Sequence, residues 1–469
     1  MPTAAAIADQ LTALLGADAV IGDPARMGGY LNEPRKRFHA KAAAVALPRD
    51  VAQVQALARW ANERRVGLIP QGGNTGLVGG QVPVRGDEVI VSLTRLDKVR
   101  AGNLPAGHLT VEAGMTLAAV HEAADTGDAI FPLWLASQGS ARIGGVLSAN
   151  AGGVQVLAYG NARELCLGIE AVLADGRLYN GLGSLRKDNT GYDLKNLLVG
   201  AEGTLGIITA ATLKLFPKPA GHETAIVSVP SLPVALGFFY AMRERLNATL
   251  TAFEIVPRFG PELQLKHGML DRDPTPGPSP WYVLLEVSRP VGGAEGALTA
   301  ALEHQLEHEL IDDAVLADSL ADRDRMWAFR EQMSDVQSRE GASIKHDVSV
   351  PVALVPRLIA DGIAAAETIM PGIRPCAFGH MGDGNIHFNF SQPAGAEPQA
   401  FMAGAEPLHA AIYDIVLRLG GSVSAEHGIG QLKTGLLRRV KDPVALEMMR
   451  AIKQALDPNG IMNPGKLLG

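Results

Sequence analysis

Cysteine is nearly missing from this chain of 469 residues: only Cys166 and Cys376 occur, and not as a CxxC pair. A disulfide framework and a cysteine-built zinc site are thereby excluded. Basic charge is also short, with 42 Lys+Arg against 49 Asp+Glu and a net charge of -7. Such mild acidity argues against a nucleic-acid or anionic-membrane surface. No apolar run reaches the roughly 18 residues of a membrane span. The first basic residue is Arg26, after Asp9, Asp18 and Asp23. That fits neither a secretory nor a mitochondrial leader, so a cytoplasmic, reducing compartment is expected. Four common signatures are absent as well. Without GxGxxG the usual dinucleotide fingerprint is missing, and without GxxxxGK[ST] the chain is not a P-loop nucleotidase. HExxH and GxSxG are missing too.

Hydrophobic residues make up 47% of the chain, enough for a sizeable core. The length suggests two or three domains. Apolar residues recur at helical spacing over residues 3–16 and 50–65. A short strand at 66–70 leads into a glycine loop, and further strands are expected at 89–93, 109–113 and 206–216, with a helix at 116–125. Residues 169–174 and 177–180 read as a hairpin turned by Asp175-Gly176. Helices and strands interleave, so this half is α/β or α+β. The proline-bearing stretch 216–221 is the best linker. Beyond it, strands are expected at 225–229, 250–256, 281–287, 343–350, 373–378 and 385–391. The helices expected there are 234–246, 294–309, one long helix at 321–339, 355–368 and 398–419.

Three glycine segments look like parts of one cradle. The first, Pro70-Gln71-Gly72-Gly73-Asn74-Thr75-Gly76, follows a strand directly, and consecutive small residues can turn their N–H groups inward as an anion nest suited to a pyrophosphate. The second is Ile143-Gly144-Gly145 followed by Asn150-Ala151-Gly152-Gly153. The third is Ala201-Glu202-Gly203-Thr204-Leu205-Gly206-Ile207. Each alone reads equally as a tight turn, loop or bulge.

The second half carries a metal-ligand pattern. Gly382-Asp383-Gly384 is a turn, and on the strand after it Asn385, His387 and Asn389 share one face while Ile386, Phe388 and Phe390 face the other way. His380 ends the preceding strand, where the turn can bring it near His387. Two imidazoles in one cleft suit a first-row metal, and two satisfied polar histidines are an equally good reading. A third ligand must come from elsewhere. Ser424-Ala425-Glu426-His427-Gly428 offers Glu426 or His427; neighbours in extended chain point to opposite sides, so both are not expected on one metal. On the long helix Trp327, Arg330 and Ser334 share a face, and Arg330 has no carboxylate at i±3 or i±4, which leaves it a candidate carboxylate binder. Lys345 alternates with Asp347 on the next strand, where a surface pair with Asp347 is the competing reading.

The segments PQGGNTG, GGVLSANAGG and GYDLKNLLVGAEGTLGIIT, with GHMGDGNIHFN, SAEHGIG and DPNGIMNPGK in the second half, resemble the FAD-linked D-2-hydroxyacid dehydrogenases of the vanillyl-alcohol oxidase and p-cresol methylhydroxylase superfamily. The resemblance spans about residues 30–468. It implies an α+β fold: a two-subdomain FAD-binding domain over residues 1–217, then a substrate and metal domain over 218–469 with an antiparallel sheet under helices, of which 421–469 returns towards the flavin. The flavin contacts it implies are Pro70, Gly72, Gly73, Asn74, Thr75, Gly76 and Leu77; then Ser137, Gly139, Ser140, Gly144, Gly145, Asn150, Gly152, Gly153 and Tyr159; then Glu202, Gly203, Gly206, Ile207 and Asn463. It implies His380, His387 and Glu426 as ligands of zinc or another divalent first-row metal, His427 as base, and Arg330, Ser334, Lys345 and Asn389 as substrate contacts. Some members of the superfamily carry a histidine in the first glycine loop that bonds covalently to the flavin. Here Asn74 and no histidine stands in that loop, so non-covalent FAD is expected.

The activity so implied is oxidation of a D-2-hydroxyacid to the 2-oxoacid, with D-2-hydroxyglutarate the first expected substrate and D-lactate or glycolate the alternatives. The metal would engage the hydroxyl and C1 carboxylate, His427 would take the hydroxyl proton, and FAD would receive the C2 hydride. An electron-transfer flavoprotein or a quinone-type molecule is the candidate electron acceptor, and a homodimer is an open expectation. A metal-dependent hydrolase using the two histidines and Glu426 is the reading from another class.

Overall fold

The computed structural model describes residues 3–469. The chain divides into two compact units: the described residues up to Gly153 with Gly160–Lys218 and Glu426–Gly469, and Val154–Tyr159 with Pro219–Ala425. Residues 426–469, assigned to the second domain but expected to return towards the flavin, cluster with the first unit. The reason is local: Leu68 bridges to Met462, and the Asn463 N–H donates to the Leu68 carbonyl at 2.9 Å.

In the first unit, the strands Ala44–Ala46, Val89–Ser92 and Leu68–Gln71 are parallel, with Val20–Ile21 antiparallel at the edge. The helix Val51–Arg64 crosses between two of the parallel strands. The Asp50 carboxylate caps its start by accepting from the Gln53 N–H at 2.8 Å, and it stops at Arg65, whose φ is 55°. It buries Val54, Leu57, Ala58, Trp60 and Ala61. Each large side chain so covered contributes roughly 1.5–3 kcal/mol. A second, antiparallel sheet runs Val99–Asn103, His108–Glu112, Ile207–Lys214, Cys166–Val172, Leu178–Gly181.

The second unit is built on one antiparallel sheet of seven strands: Asp313–Leu316, Gly221–Val229, Trp281–Arg289, Leu250–Pro257, Arg374–His380, Asn385–Ser391 and Ser343–Ser349. One face packs on an apolar cluster that includes Leu284, Met326, Phe329, Met333 and Phe378. The other face carries Phe253, Phe388 and Phe390 under the helices Leu232–Leu246, Val355–Ile369 and Ala405–Arg418. There Phe238 stacks obliquely on Phe253, ring centroids 5.5 Å apart.

Three local expectations are corrected. The long helix expected at 321–339 is two, Leu320–Glu331 and Met333–Glu340, because the chain turns at Gln332 and sends the Met333 side chain fully into the core. The helix expected at 398–419 is also two, Pro398–Ala403 and Ala405–Arg418, parted at Gly404. Ile143-Gly144-Gly145 opens a short helix, Ile143–Ser148, and is not a loop; a Cβ on Gly144 would stand 2.9 Å from that of Ala113, so glycine here serves close helix-to-strand packing. Among the described residues, no helix is long and apolar enough to cross a membrane.

Candidate active site

The three glycine segments converge on one cavity of about 500 Å³ in the first unit. Pro70, Gly72, Gly73, Asn74, Thr75, Gly76 and Leu77 form one wall; Ser137, Gly144, Gly145 and Gly152 another; Glu202, Gly203, Gly206 and Asn463 a third. Gly139, Ser140, Asn150, Gly153 and Ile207 do not line it, and Tyr159 belongs to the second unit. Ser140 and Gly153 stand behind the wall: a Cβ on Gly73 would collide with the Ser140 carbonyl, and one on Gly153 with that of Trp134. Gly73→Ala is therefore expected to destabilise the protein by about 1–3 kcal/mol and weaken flavin binding. A variant with unchanged melting temperature and flavin content would show that the loop is not pinned there.

The cavity suits a polar, anionic cofactor. Among the described residues, the N–H groups of Gly72, Gly73, Asn74, Thr75 and Gly76 find no backbone acceptor, which leaves a run of donors at the strand end. Three residues of the wall bury a polar atom with no partner in the chain: Asn74 Oδ1, Arg142 Nε and Asn463 Oδ1. Unsatisfied buried groups of this kind are rare unless a ligand or water completes them. Arg142 was not legible in the sequence. Burial lowers its pKa, with Asp97 opposing, and its guanidinium donates to the Gly114 carbonyl. Pro34 was missed too; it reaches the cavity because the buried Glu33 carboxylate accepts the N–H groups of Arg35 and Arg37 and bends the chain there.

Glu426 and His427 line the same cavity. The chain bends at residues 425–427 rather than running extended, so both side chains reach the cavity; the positive φ of 79° at Gly428 and 53° at Gly430 turns the segment after them. Its backbone is held by Glu202, whose carboxylate accepts the Ile429 and Gly430 N–H groups at 2.7 and 2.6 Å. Burial raises the Glu202 pKa above the usual carboxylate value, although these two donors, Lys433 and Lys466 oppose it. The Asn463 amide closes the arrangement by donating to the carbonyls of Gly80 and Glu202 at 2.9 and 2.6 Å.

In the second unit a strip of polar groups crosses one sheet face. His380 and His387 stand on paired strands, with ring centroids 5.4 Å apart and planes at 76°. Glu254, on the next strand, pairs with His380 in register. Its Oε1 lies 2.6 Å from His380 Nδ1 and its Oε2 accepts from Arg330 Nε at 2.7 Å. Burial alone would raise the Glu254 pKa, but His380 and Arg330 hold it down at about 2. Arg330, with no carboxylate at i±3 or i±4, takes its carboxylate partner from 76 positions upstream. Its guanidinium lies over the Phe378 ring, 4.9 Å from the centroid. Lys345 Nζ donates to the Ser334 hydroxyl at 2.9 Å, and Asp347 accepts from Asn385 Nδ2 at 3.1 Å. Asn389 Nδ2 donates to Gln337 Oε1 at 2.8 Å. Trp327, expected beside Arg330, donates its indole N–H to Glu286 at 2.8 Å.

Residues 218–467 match the model of the C-terminal domain of FAD linked oxidases, and residues 42–181 match that of an FAD binding domain. Over 445 residues the chain is 37% identical to D-2-hydroxyglutarate dehydrogenase of Xanthomonas citri pv. viticola, covering 95% of this chain and 93% of the relative. It is 38% identical to the mitochondrial D-2-hydroxyglutarate dehydrogenase of Bos taurus, covering 90% of this chain and 76% of the relative. It is 33% identical to a D-2-hydroxyglutarate–pyruvate transhydrogenase of Saccharomyces cerevisiae, covering 95% and 90%. Substrate-bound p-cresol methylhydroxylase shares the fold with a TM-score of 0.76 at 18% identity, covering 98% of this chain and 96% of that one. The two FAD domains and the D-2-hydroxyglutarate dehydrogenase relatives together define an FAD-dependent dehydrogenase. The chain belongs to the FAD-linked oxidase family. The hydrolase reading finds no support in these relatives.

Proposed function

We propose that the protein oxidises a D-2-hydroxyacid, with D-2-hydroxyglutarate the first choice, to the 2-oxoacid. The observation that carries this reading is His427 in the wall of the glycine-lined cavity, where a base can stand beside a bound flavin. The names of the relatives support the substrate. FAD, when bound, accepts the C2 hydride. Asn74 supports non-covalent binding: its amide donates to the Gly29 and Asn32 carbonyls at 3.0 and 2.8 Å and offers no nucleophile. Flavin that stays with the polypeptide after acid precipitation would overturn that point.

The imidazole pair, one of them backed by a carboxylate, fits a divalent metal of the zinc class. His380, His387 and Glu426 would hold it, and it would lower the pKa of the substrate hydroxyl. His427 then takes the hydroxyl proton on a ring nitrogen. Arg330 keeps its terminal nitrogens for a substrate carboxylate while Glu254 occupies Nε. That leaves Lys345, steadied by Ser334, for a second carboxylate, which is why a dicarboxylate is preferred to D-lactate. The electron acceptor is proposed to be an electron-transfer flavoprotein or a quinone-type molecule.

Anaerobic flavin bleaching with a panel of D- and L-2-hydroxyacids tests the activity. D-2-hydroxyglutarate should bleach fastest and L-acids should not bleach. Lys345→Ala should lower kcat/KM for D-2-hydroxyglutarate by roughly 10-fold or more, from a charge-assisted hydrogen bond of about 1.5–3 kcal/mol. D-lactate turnover should change much less. An equal drop for both acids would promote D-lactate or glycolate as the substrate.

A further inference from the structure

Glu254 is 1% exposed and meets two groups of the proposed site at once. It sits in Leu250–Pro257, a strand buried along its whole length, with Phe253 and Ile255 packed on the opposite face. A carboxylate in such a place requires partners for both oxygens. Its partners are His380 on one side and Arg330 on the other. The two contacts differ in what they do. The Glu254 oxygen 2.6 Å from His380 Nδ1 is an acceptor and calls for the proton on that nitrogen, so in the neutral ring Nε2 is the atom able to ligate. At Arg330 the contact takes only Nε. Neither terminal nitrogen has an acceptor among the described residues, and neither belongs to the fully enclosed, unpartnered polar atoms of the chain. The guanidinium fork therefore stays open, its central carbon 4.9 Å from the Phe378 ring centroid.

We infer that Glu254 is a positioning residue shared by the metal site and the anion clamp: one oxygen fixes the His380 tautomer that can ligate, and the other aims the Arg330 fork at a substrate carboxylate. This rests on the metal-dependent reading above. A carboxamide cannot do both jobs. In Glu254→Gln one end is a donor, and it faces either Arg330 Nε, already a donor, or His380, whose tautomer must then reverse.

The test uses the flavin-loaded full chain, with Zn²⁺ as the probe. In Glu254→Gln, Zn²⁺ affinity measured by chelator competition should fall 10- to 100-fold. Flavin content should be unchanged, because the glycine-lined cavity belongs to the other unit. At saturating Zn²⁺, kcat should recover while KM for D-2-hydroxyglutarate stays raised by roughly 10-fold. Glu254→Asp, which keeps the charge, should recover part of the affinity. A folded variant that binds Zn²⁺ within twofold of wild type would overturn this inference and leave the metal-dependent reading standing. A wild-type protein that binds no Zn²⁺ would overturn both. Should Glu254→Gln fail to fold, ¹⁵N spectra of the metal-free wild-type flavoprotein decide the matter, with His380 assigned by difference against His380→Asn. The inference expects the proton on Nδ1, and a proton on Nε2 would overturn it.

Discussion

His427→Ala is expected to lower kcat by roughly 10²–10⁴-fold, the range a positioned general base contributes. FAD should remain bound. The glycine loop at 72–76 and the Asn463 clamp do not depend on that imidazole, and the neighbouring Ile429 and Gly430 N–H groups remain held by Glu202. Metal should also remain, because the proposal gives His427 the proton and not the ion. The acid limb of the pH–rate profile, which an imidazole base sets, should disappear with the residue. Stopped-flow reduction of the flavin at several pH values measures both effects. A variant that has lost its metal would make His427 a ligand, and one with full activity would remove it from the reaction.

His387→Ala should abolish metal binding and lower kcat/KM by about 10³-fold, since a Lewis acid contributes several kcal/mol to such a step. The ring packs against Phe378 at 5.3 Å and His380 at 5.4 Å, so its removal leaves a hole beside the apolar cluster and the melting temperature should fall too. Flavin should be retained, because His387 and the glycine-lined cavity belong to different units. Elemental analysis together with the flavin absorbance separates these outcomes. Flavin lost in step with the metal would speak against two separate sites.

What could be read from the sequence follows from how local its cause is. The strand Asn385–Ser391 was legible to the residue, because Ile386, Phe388 and Phe390 alternate with Asn385, His387 and Asn389, and the first three are fully buried. The helix Val51–Arg64 was equally plain from its apolar spacing over residues 50–65. The break at Gln332 was not, since neither glycine nor proline marks it and it exists to bury Met333 in a core assembled by distant strands. The site divides in the same way. Glycine segments and paired histidines announce themselves by composition. Glu254 does not, because its partners His380 and Arg330 lie 126 and 76 positions away. One sign was available: a single acid inside the apolar run Ala-Phe-Glu-Ile-Val, repeated at Glu286 within Leu-Leu-Glu-Val. Both are buried carboxylates tied to an arginine, Glu286 to Arg323 at 2.7 Å. An isolated acid in a strand otherwise made of core residues is worth following to its partner.

The first unit takes in residues 426–469 after a detour of more than two hundred positions through the second. During synthesis this has a temporal meaning. The second unit is contiguous apart from Val154–Tyr159 and can gather its seven strands while the ribosome is still at work. The flavin cavity cannot be closed until Asn463 has emerged to hold Gly80 and Glu202. Retention of the cofactor is thereby expected only once Asn463 has been made, and a chain stopped before it is expected to gather its seven-stranded sheet yet hold flavin poorly.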